Sequence, residues 1–166
     1  MILPPFRNQR APAPGRLSAI FTCPVAGAGM QSLSEAQALA GQGLAEDRYA
    51  LGQGHWHPVE ACQLTLITEQ ELAWAEGRAG RPLGPGFHRR NLVVAGLMPK
   101  HLREQRLQIG EALFVWHRPR PPCGYLDRVS GAGMARALGK GSGSCLRVLS
   151  SGLIRIGDPV LVLDPR

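Results

Sequence analysis

The residues most able to do chemistry lie in Arg118–Gly124, where a single cysteine follows three prolines and two arginines. Because proline fixes φ and carries no backbone N–H, we expect a stiff connector here, neither helix interior nor central strand. A thiol held beside cationic side chains forms thiolate near neutral pH. We therefore predict that Cys123 is reactive, with a pKa lowered by His117, the two arginines or an incoming Arg48.

Two further segments could bind an anion. In Gly41–Tyr49, two glycines let the backbone approach a ligand. Arg48 can offer a fork of donors to a phosphate or carboxylate there, while Asp47 orients it. Arg90 and Asn91 stand directly before an apolar run, where guanidinium and amide donors can face one oxyanion. Taken singly, each segment has a simpler interpretation: a surface ion pair for the first and a solvated strand start for the second.

Composition limits the class of protein. The chain has 166 residues, is 44% apolar and carries 21 Gly and 14 Pro, which favours one domain of many short strands over long helices. A net charge of +7 without any run of Lys and Arg favours a small anionic partner over nucleic acid. Charge that serves only solubility is the alternative.

Location and thiol state follow from what the sequence lacks. No apolar run approaches the length of about 20 residues that spans a membrane, and the N-terminus lacks the apolar core of an export signal. We expect a cytoplasmic protein with no membrane contact. The four cysteines contain no C-x-x-C pair, so we expect reduced thiols rather than a disulfide framework. A zinc site that adds His55 and His57 is a less favoured alternative.

Strand and turn patterns predict a mainly β fold. Residues 1–15 are rich in proline and alanine and are interpreted as a loose N-terminal arm. Residues 16–166 are predicted to form a single domain, a barrel of about seven short, mostly antiparallel strands with a few short helices. Cys62 and Cys145 fall within strand patterns, and we predict that both are core residues.

Local signals set the helices. Thr68 and Glu71 have the spacing of a capping box, which begins a helix through about Glu76. Between residues 125 and 139, apolar spacing and a closing glycine predict one or two short helices. Asp158, at a Gly-Asp-Pro corner, is predicted to bond the backbone rather than to act in catalysis.

Four stretches, taken in their order along the chain, resemble one family. They are Gly43–Arg48, Arg89–Val94, Arg120–Cys123 and Gly152–Asp158. Together they are similar to the MOSC domain, the module that closes molybdenum cofactor sulfurases and also occurs as small stand-alone proteins. The resemblance runs from near residue 16 to residue 166.

The resemblance implies a β-barrel that binds molybdenum cofactor (molybdopterin) or handles sulfur destined for a metal. It implies that Cys123 either ligates molybdenum or carries sulfane sulfur, and that the motif arginines and asparagine lie near the anionic end of the pterin. The expected cofactor-binding residues are Asp47, Arg48, Arg90, Asn91 and Arg120.

Two activities follow from this resemblance. As a metal ligand, Cys123 would serve a small reductase of N-hydroxylated compounds, which needs a separate electron-transfer reductase as partner. As a carrier, it would accept sulfur from the persulfide of a cysteine desulfurase. The family usually has glycine where this chain has Glu46, so we expect a reshaped or more negative pocket there.

Two rival classes stay open. A non-enzymatic barrel would use the same arginines to bind a phosphometabolite or nucleic acid, with Cys123 merely buried. A cysteine hydrolase would pair Cys123 with His88 or His117. Three prolines separate His117 from the thiol, and no third orienting group is evident.

Overall fold

The computed structural model describes residues 10–55 and 62–163. Within these ranges lie eleven strands and four short helices. The strands are β1 (Gly15–Thr22), β2 (Gln31–Leu33), β3 (Glu35–Leu39), β4 (Gly43–Leu44), β5 (Leu64–Thr68), β6 (Leu92–Ala95), β7 (Arg106–Ile109), β8 (Ala112–Pro119), β9 (Ser144–Ser150), β10 (Gly152–Arg155) and β11 (Pro159–Leu163). The helices are α1 (Glu69–Ala79), α2 (Pro99–Leu102), α3 (Gly124–Ser130) and α4 (Met134–Leu138).

Seven of these strands close into a barrel. Their order is β11-β7-β8-β9-β5-β6-β1, and the pairing of β1 with β11 joins the two ends. Each pair around the barrel is antiparallel except β5 with β6, which is parallel. Strand β2 extends beside β1, and β10, β3 and β4 form a separate small sheet. The predicted mainly β barrel of mostly antiparallel strands is confirmed.

Two hydrophobic cores lie on opposite faces of the barrel wall, because side chains alternate along a strand. On β5, Leu64 and Leu66 belong to the interior core, whereas Ile67 belongs to the second core. The second core also contains Ala75 of α1 and Leu138 of α4, so these helices cover the outer face of the wall. Strand β5 is therefore buried along its whole length, including its two threonines, Thr65 and Thr68.

Helix α1 begins at the predicted capping box. Thr68 Oγ1 accepts from the Glu71 backbone N–H at 3.1 Å, and Glu71 Oε2 accepts from the Thr68 backbone N–H at 2.9 Å. The helix continues to Ala79 and ends at Gly80, whose left-handed φ of 66° needs no strain in glycine. Among the described residues, no helix combines the length and apolar character needed to cross a membrane.

The connector before Cys123 is shorter than its three prolines predict. Strand β8 runs to Pro119, and Arg118 and Pro119 pair with Cys145 and Ser144 of β9. A register shift after Trp116 precedes this stretch, and proline is tolerated at the very end of a strand because little of the ladder is lost there. The irregular connector is therefore only 120–123, and Cys123 is the N-cap residue of α3.

A close backbone approach at Gly43 predicts a large cost for any side chain there. Gly43 has φ of 128°, and a Cβ at this position would lie 2.1 Å from the Gln63 carbonyl oxygen. We expect Gly43→Ala to lower the free energy of unfolding by roughly 2–4 kcal/mol, measured by urea unfolding.

The matched control is Gly77→Ala in α1, where a Cβ would meet nothing within 4 Å. It is expected to raise stability by about 0.5–1 kcal/mol, since glycine weakens a helix interior. An unfolding midpoint for Gly43→Ala equal to that of the wild type would contradict this packing.

Candidate functional site

A cleft opens where four segments meet: the turn after β4, the residues before β6, the connector after β8 and the start of α3. Its volume is about 430 Å³, including the part that is open to solvent. The described residues that line it are Arg48, Tyr49, His55, Arg89, Arg90, Arg120, Pro121, Cys123, Tyr125 and Leu126. The fold thus brings Cys123 together with three of the five residues predicted to bind a cofactor.

Arg48 is held by a buried carboxylate. Asp47 is 0% exposed, and its Oδ1 accepts from Arg48 Nη1 at 3.1 Å and from the Cys23 backbone N–H at 3.0 Å. Arg48 Nη2 donates to the Arg89 carbonyl at 3.1 Å. Burial opposes the charged form of Arg48, but nearby Tyr49 and Asp47 favour it, and its pKa is raised. The pair is therefore no ordinary surface ion pair, and Asp47 orients a permanent cation at the cleft.

Arg90 is the most deeply held guanidinium of the cleft. Its Nε donates to the Ser142 carbonyl and its Nη2 to Ser142 Oγ, both at 2.7 Å. Its backbone N–H donates to His88 Nδ1 at 2.9 Å. Burial is the main reason that the pKa of Arg90 is lowered. Within the described part of the chain, the Arg90 guanidinium donates only to neutral acceptors. No carboxylate there pairs with it and cancels its charge.

Arg89 is a cleft residue that the motif analysis did not single out. It has φ of 65°, a left-handed conformation that costs a non-glycine residue of order 1–3 kcal/mol. Its Nη1 donates to the Ala28 carbonyl, and its Nη2 lies 3.6 Å from Cys23 Sγ. Burial and then the neighbouring charge of Arg48 lower the pKa of Arg89. The reversed backbone is what turns Arg89 and Arg90, although adjacent in sequence, toward one cleft.

Arg120 and Cys123 complete the wall from the connector. The Arg120 backbone N–H donates to the Gly143 carbonyl at 2.9 Å, and its Nη2 donates to Tyr49 Oη at 3.4 Å. Cys123 is partly exposed, and its side chain makes no capping hydrogen bond to α3. The Cys123 thiol therefore does not cap α3 and is accessible from the cleft.

Two aromatic residues cover one side of the cleft, and neither was predicted. The His55 ring stacks on the Tyr125 ring, with centroids 3.7 Å apart and planes 6° apart. The two residues are distant in sequence, so no local sequence pattern predicts this stack. His57, the second histidine of the zinc alternative, lies outside the described residues.

Asn91 lies behind the cleft wall rather than on it. It is fully buried, and its Oδ1 accepts from the Thr65 backbone N–H at 2.9 Å while its Nδ2 donates to the Phe21 carbonyl at 3.1 Å. These bonds tie β5 to the end of β1 beside β6. The amide is therefore committed to holding the strands from which Arg90 enters the cleft.

The two histidines of the hydrolase alternative are placed away from the thiol. His88 is buried against Phe21, with Nδ1 occupied by the Arg90 backbone N–H. His117 Nε2 lies 3.0 Å from Arg147 Nη2. Neither is among the described residues that line the cleft with Cys123.

The charges define what this cleft can bind. Among the described residues, one carboxylate pairs with the group of Arg48, Arg89 and Arg90. It is that of Asp47, and it pairs with Arg48. A guanidinium offers forked donors that match phosphate and carboxylate oxygens. In a partly desolvated cleft, this surplus of positive charge attracts an anion strongly. The chemistry available is therefore anion binding beside a soft, partly exposed sulfur.

Comparison with known proteins identifies the family of this chain. The MOSC domain profile matches residues 51–161. The chain belongs to the MOSC domain family. Membership places this MOSC protein among molybdenum-cofactor-related or sulfur-related proteins in general. A search of curated proteins gave no match.

Solved structures share the MOSC fold at low sequence identity. The YUAD protein from Bacillus subtilis is 15% identical, with a TM-score of 0.75 over 90% of this chain and 95% of that chain. YiiM from Geobacillus stearothermophilus is 19% identical, with a TM-score of 0.70 over 91% and 76% of the two chains. YiiM from Escherichia coli is 21% identical, with a TM-score of 0.64 over 91% and 71%.

The departure from the family pattern at Glu46 affects the backbone. Glu46 has φ of 63°, the region in which glycine is favoured, which gives a physical reason for glycine at this position in the family. Its side chain is exposed and is not among the cleft-lining residues. The substitution therefore places strain in the turn before Asp47 rather than a negative charge in the cleft.

The buried His88 predicts a loss of stability in acid. Burial, and after it the charge of Arg90, lowers the pKa of His88 to about 3. In the unfolded chain the His88 imidazole has its ordinary pKa of about 6.5, so below that pH it binds a proton that it does not bind in the folded chain. The stabilisation is fully present above pH of about 6.5 and falls by roughly 1.4 kcal/mol per pH unit down to the folded-state value.

Urea unfolding near pH 7 and near pH 5 should show that the wild type loses roughly 2 kcal/mol more than His88→Gln does. Parallel pH dependence of the wild type and His88→Gln would contradict the assignment.

Proposed function

We propose that the cleft binds the anionic end of molybdenum cofactor or of a sulfur donor, and that Cys123 is the residue that meets its reactive sulfur or metal. The observation that carries this proposal is one cleft that holds both a partly exposed thiol and a cluster of arginines whose charge exceeds that of Asp47. Neither feature alone would distinguish this function from simple anion binding.

The residues present fit molybdenum cofactor at both of its ends. Arg48, Arg89, Arg90 and Arg120 would hold the anionic end through charge-assisted hydrogen bonds. The soft sulfur of Cys123 would be a suitable ligand for molybdenum. When bound, the cofactor supplies oxo-transfer redox chemistry.

This chain's own contribution in that version is binding and orientation. The barrel and Asp47 fix the arginines, and the His55–Tyr125 stack covers one side of the cleft and reduces its contact with water. The protein would then act as a reductase of N-hydroxylated compounds and would receive electrons from a separate reductase.

The second version makes Cys123 a sulfur carrier. The Cys123 thiolate attacks the outer sulfur of a persulfide on a cysteine desulfurase, the donor's S–S bond breaks, and the donor leaves as a thiolate. The outer sulfur, with its proton, remains on Cys123 as a new persulfide. No net oxidation occurs, because one S–S bond replaces another.

A polymer of nucleic acid is a weaker candidate for the anion. Nucleic-acid binding relies on exposed Lys and Arg that reach many phosphates along a surface. Here Arg48, Arg89 and Arg90 are each at most 6% exposed, which favours a small anion that enters the cleft.

The metal-bearing version predicts molybdenum and pterin in the purified protein. On protein expressed in a host that makes the cofactor, elemental mass spectrometry and pterin fluorescence should show near-stoichiometric loading of the wild type. Cys123→Ala should lose the molybdenum. Arg120→Gln should lower pterin retention by about 10-fold or more, the effect of losing a charge-assisted hydrogen bond.

Arg155→Gln is the matched control, because Arg155 forms an exposed ion pair with Glu35 on the small sheet. It should load like the wild type. Absence of both metal and pterin from folded wild-type protein would overturn this version for the form of cofactor that the host makes.

The carrier version predicts a persulfide on Cys123. Incubation with a cysteine desulfurase and free cysteine should add the mass of one sulfur atom to the wild type and not to Cys123→Ala, and a thiol reductant should remove it. If wild-type protein gains neither sulfur nor cofactor, while phosphate still raises its melting temperature, the site is a plain anion-binding module.

A further inference from the structure

Two buried cysteines, distant in sequence, meet behind the cleft. Cys62 Sγ lies 3.1 Å from Cys145 Sγ, although 83 positions separate the two residues. Cys62 is 7% exposed and Cys145 is 0% exposed. We propose that Cys62 and Cys145 are a thiol-oxidation site that closes reversibly into a disulfide. The proposal is independent of the function proposed for Cys123.

The fold brings the two sulfur atoms close to bonding range. Cys145 lies on β9, opposite Thr65 of the neighbouring β5, and Cys62 lies just before β5 begins. A disulfide has sulfur atoms about 2.05 Å apart, so the thiols need to approach by only about 1 Å. Because Cys62 lies outside the strand ladder, it can make this small movement without breaking the β5–β9 pairing.

The other two cysteines have different surroundings. Cys23 Sγ contacts Arg48 Nη1 at 3.5 Å and donates to the Val25 carbonyl at 3.3 Å. Cys123 lines the cleft and is partly exposed. All four cysteines of the chain are described and are free thiols, and of these only Cys62 and Cys145 are hydrogen-bonded to each other.

The charges around the pair decide which thiol ionises first. The hydrogen bond from Cys62, together with the charges of Arg120, Arg118 and Arg90, lowers the pKa of Cys145 to about 7 against the effect of burial. The same hydrogen bond and burial raise the pKa of Cys62. Cys145 is therefore the thiolate that reacts, and Cys62 is the thiol that resolves the product.

Oxidation by a hydroperoxide gives a balanced route. The Cys145 thiolate attacks one peroxide oxygen, the O–O bond breaks, and the departing hydroxide takes up a proton to become water. Cys62 sulfur then attacks the sulfur of the Cys145 sulfenic acid, the S–O bond breaks, and the hydroxyl leaves as water with the Cys62 proton. Two thiols and one hydrogen peroxide become one disulfide and two waters.

Burial selects the reagents for this site. Hydrogen peroxide is small enough to reach thiols at this depth during local opening, whereas a folded protein oxidant is too large. A dithiol reductant restores the two thiols by exchange. The disulfide would fix the start of β5 to β9, beside the Ser142–Ser144 segment whose carbonyls and hydroxyl hold Arg90 and Arg120.

The test uses the full chain with Cys23→Ala and Cys123→Ala, which leaves only the proposed pair of thiols. Titration with hydrogen peroxide should remove both free thiols and reduce the intact mass by two hydrogen atoms, reversibly with dithiothreitol. Proteolytic mapping should find one cross-linked peptide that contains Cys62 and Cys145. The wild type, mapped in the same way, should give the same cross-link.

Adding Cys145→Ser to this background is the matched control, and it should prevent the loss of two hydrogen atoms. The oxidised protein should melt roughly 5–15 °C higher than the reduced one, because the cross-link closes a long loop in the unfolded chain. Folded protein that keeps both thiols, gains only oxygen atoms, or cross-links between molecules would overturn the proposal.

Discussion

Burying several guanidinium groups side by side is the constraint on which the rest of this structure depends. A charge removed from water costs several kcal/mol unless polar groups replace its hydration. The chain supplies these groups mainly as backbone carbonyls: Ser142 O for Arg90, Arg89 O for Arg48 and Ala28 O for Arg89. Only Arg48 receives a carboxylate among these three. Because carbonyls satisfy hydrogen bonds without cancelling charge, the cleft keeps a surplus that an incoming anion can neutralise.

The barrel matters because those carbonyls must come from several directions at once. Ser142 and Gly143 precede β9, Arg89 precedes β6, and Ala28 lies in the turn between β1 and β2. Asn91, which directly precedes β6, accepts a hydrogen bond from Thr65 of β5 and donates one to Phe21 of β1, and so fixes β6 between these two strands. Glu71, the capping residue of α1, also accepts from the Gly143 backbone N–H at 3.1 Å, so the outer helix steadies the same loop. The thiol, in contrast, comes from a four-residue connector that leaves it partly exposed.

Local chemistry made part of this site predictable. Capping-box and glycine-turn signals act within a few residues, so α1 and the barrel strands follow from the sequence, as do the cleft positions of Arg48, Arg90, Arg120 and Cys123. The end of β8 does not follow, because its pairing with β9 continues to Pro119, within the predicted connector. The cleft position of Arg89 was not predicted, because its left-handed backbone departs from the alternation of side chains along an extended chain. Asn91 was predicted to bind the cofactor together with its neighbour Arg90. In the structure, Arg90 lines the cleft, whereas the Asn91 side chain bonds to the strands behind it. The contact of Cys62 with Cys145 depends on the pairing of β5 with β9, which no local pattern encodes.

The same guanidinium surplus gives the two thiol sites different chemistry. At Cys123, the sulfur shares an open cleft with the arginines, so a reagent that carries its own negative charge is drawn to the sulfur. At Cys145, the hydrogen bond from Cys62 and the charges of Arg120, Arg118 and Arg90 lower the pKa of a fully buried thiol, so its thiolate would itself be the anion that these arginines face. The proposed oxidation of Cys145 would remove a negative charge that faces Arg90 and Arg120. The loss of this charge would increase the attraction of the cleft for an external anion. Electrostatics would thereby couple the thiol state of the barrel wall to anion binding in the cleft.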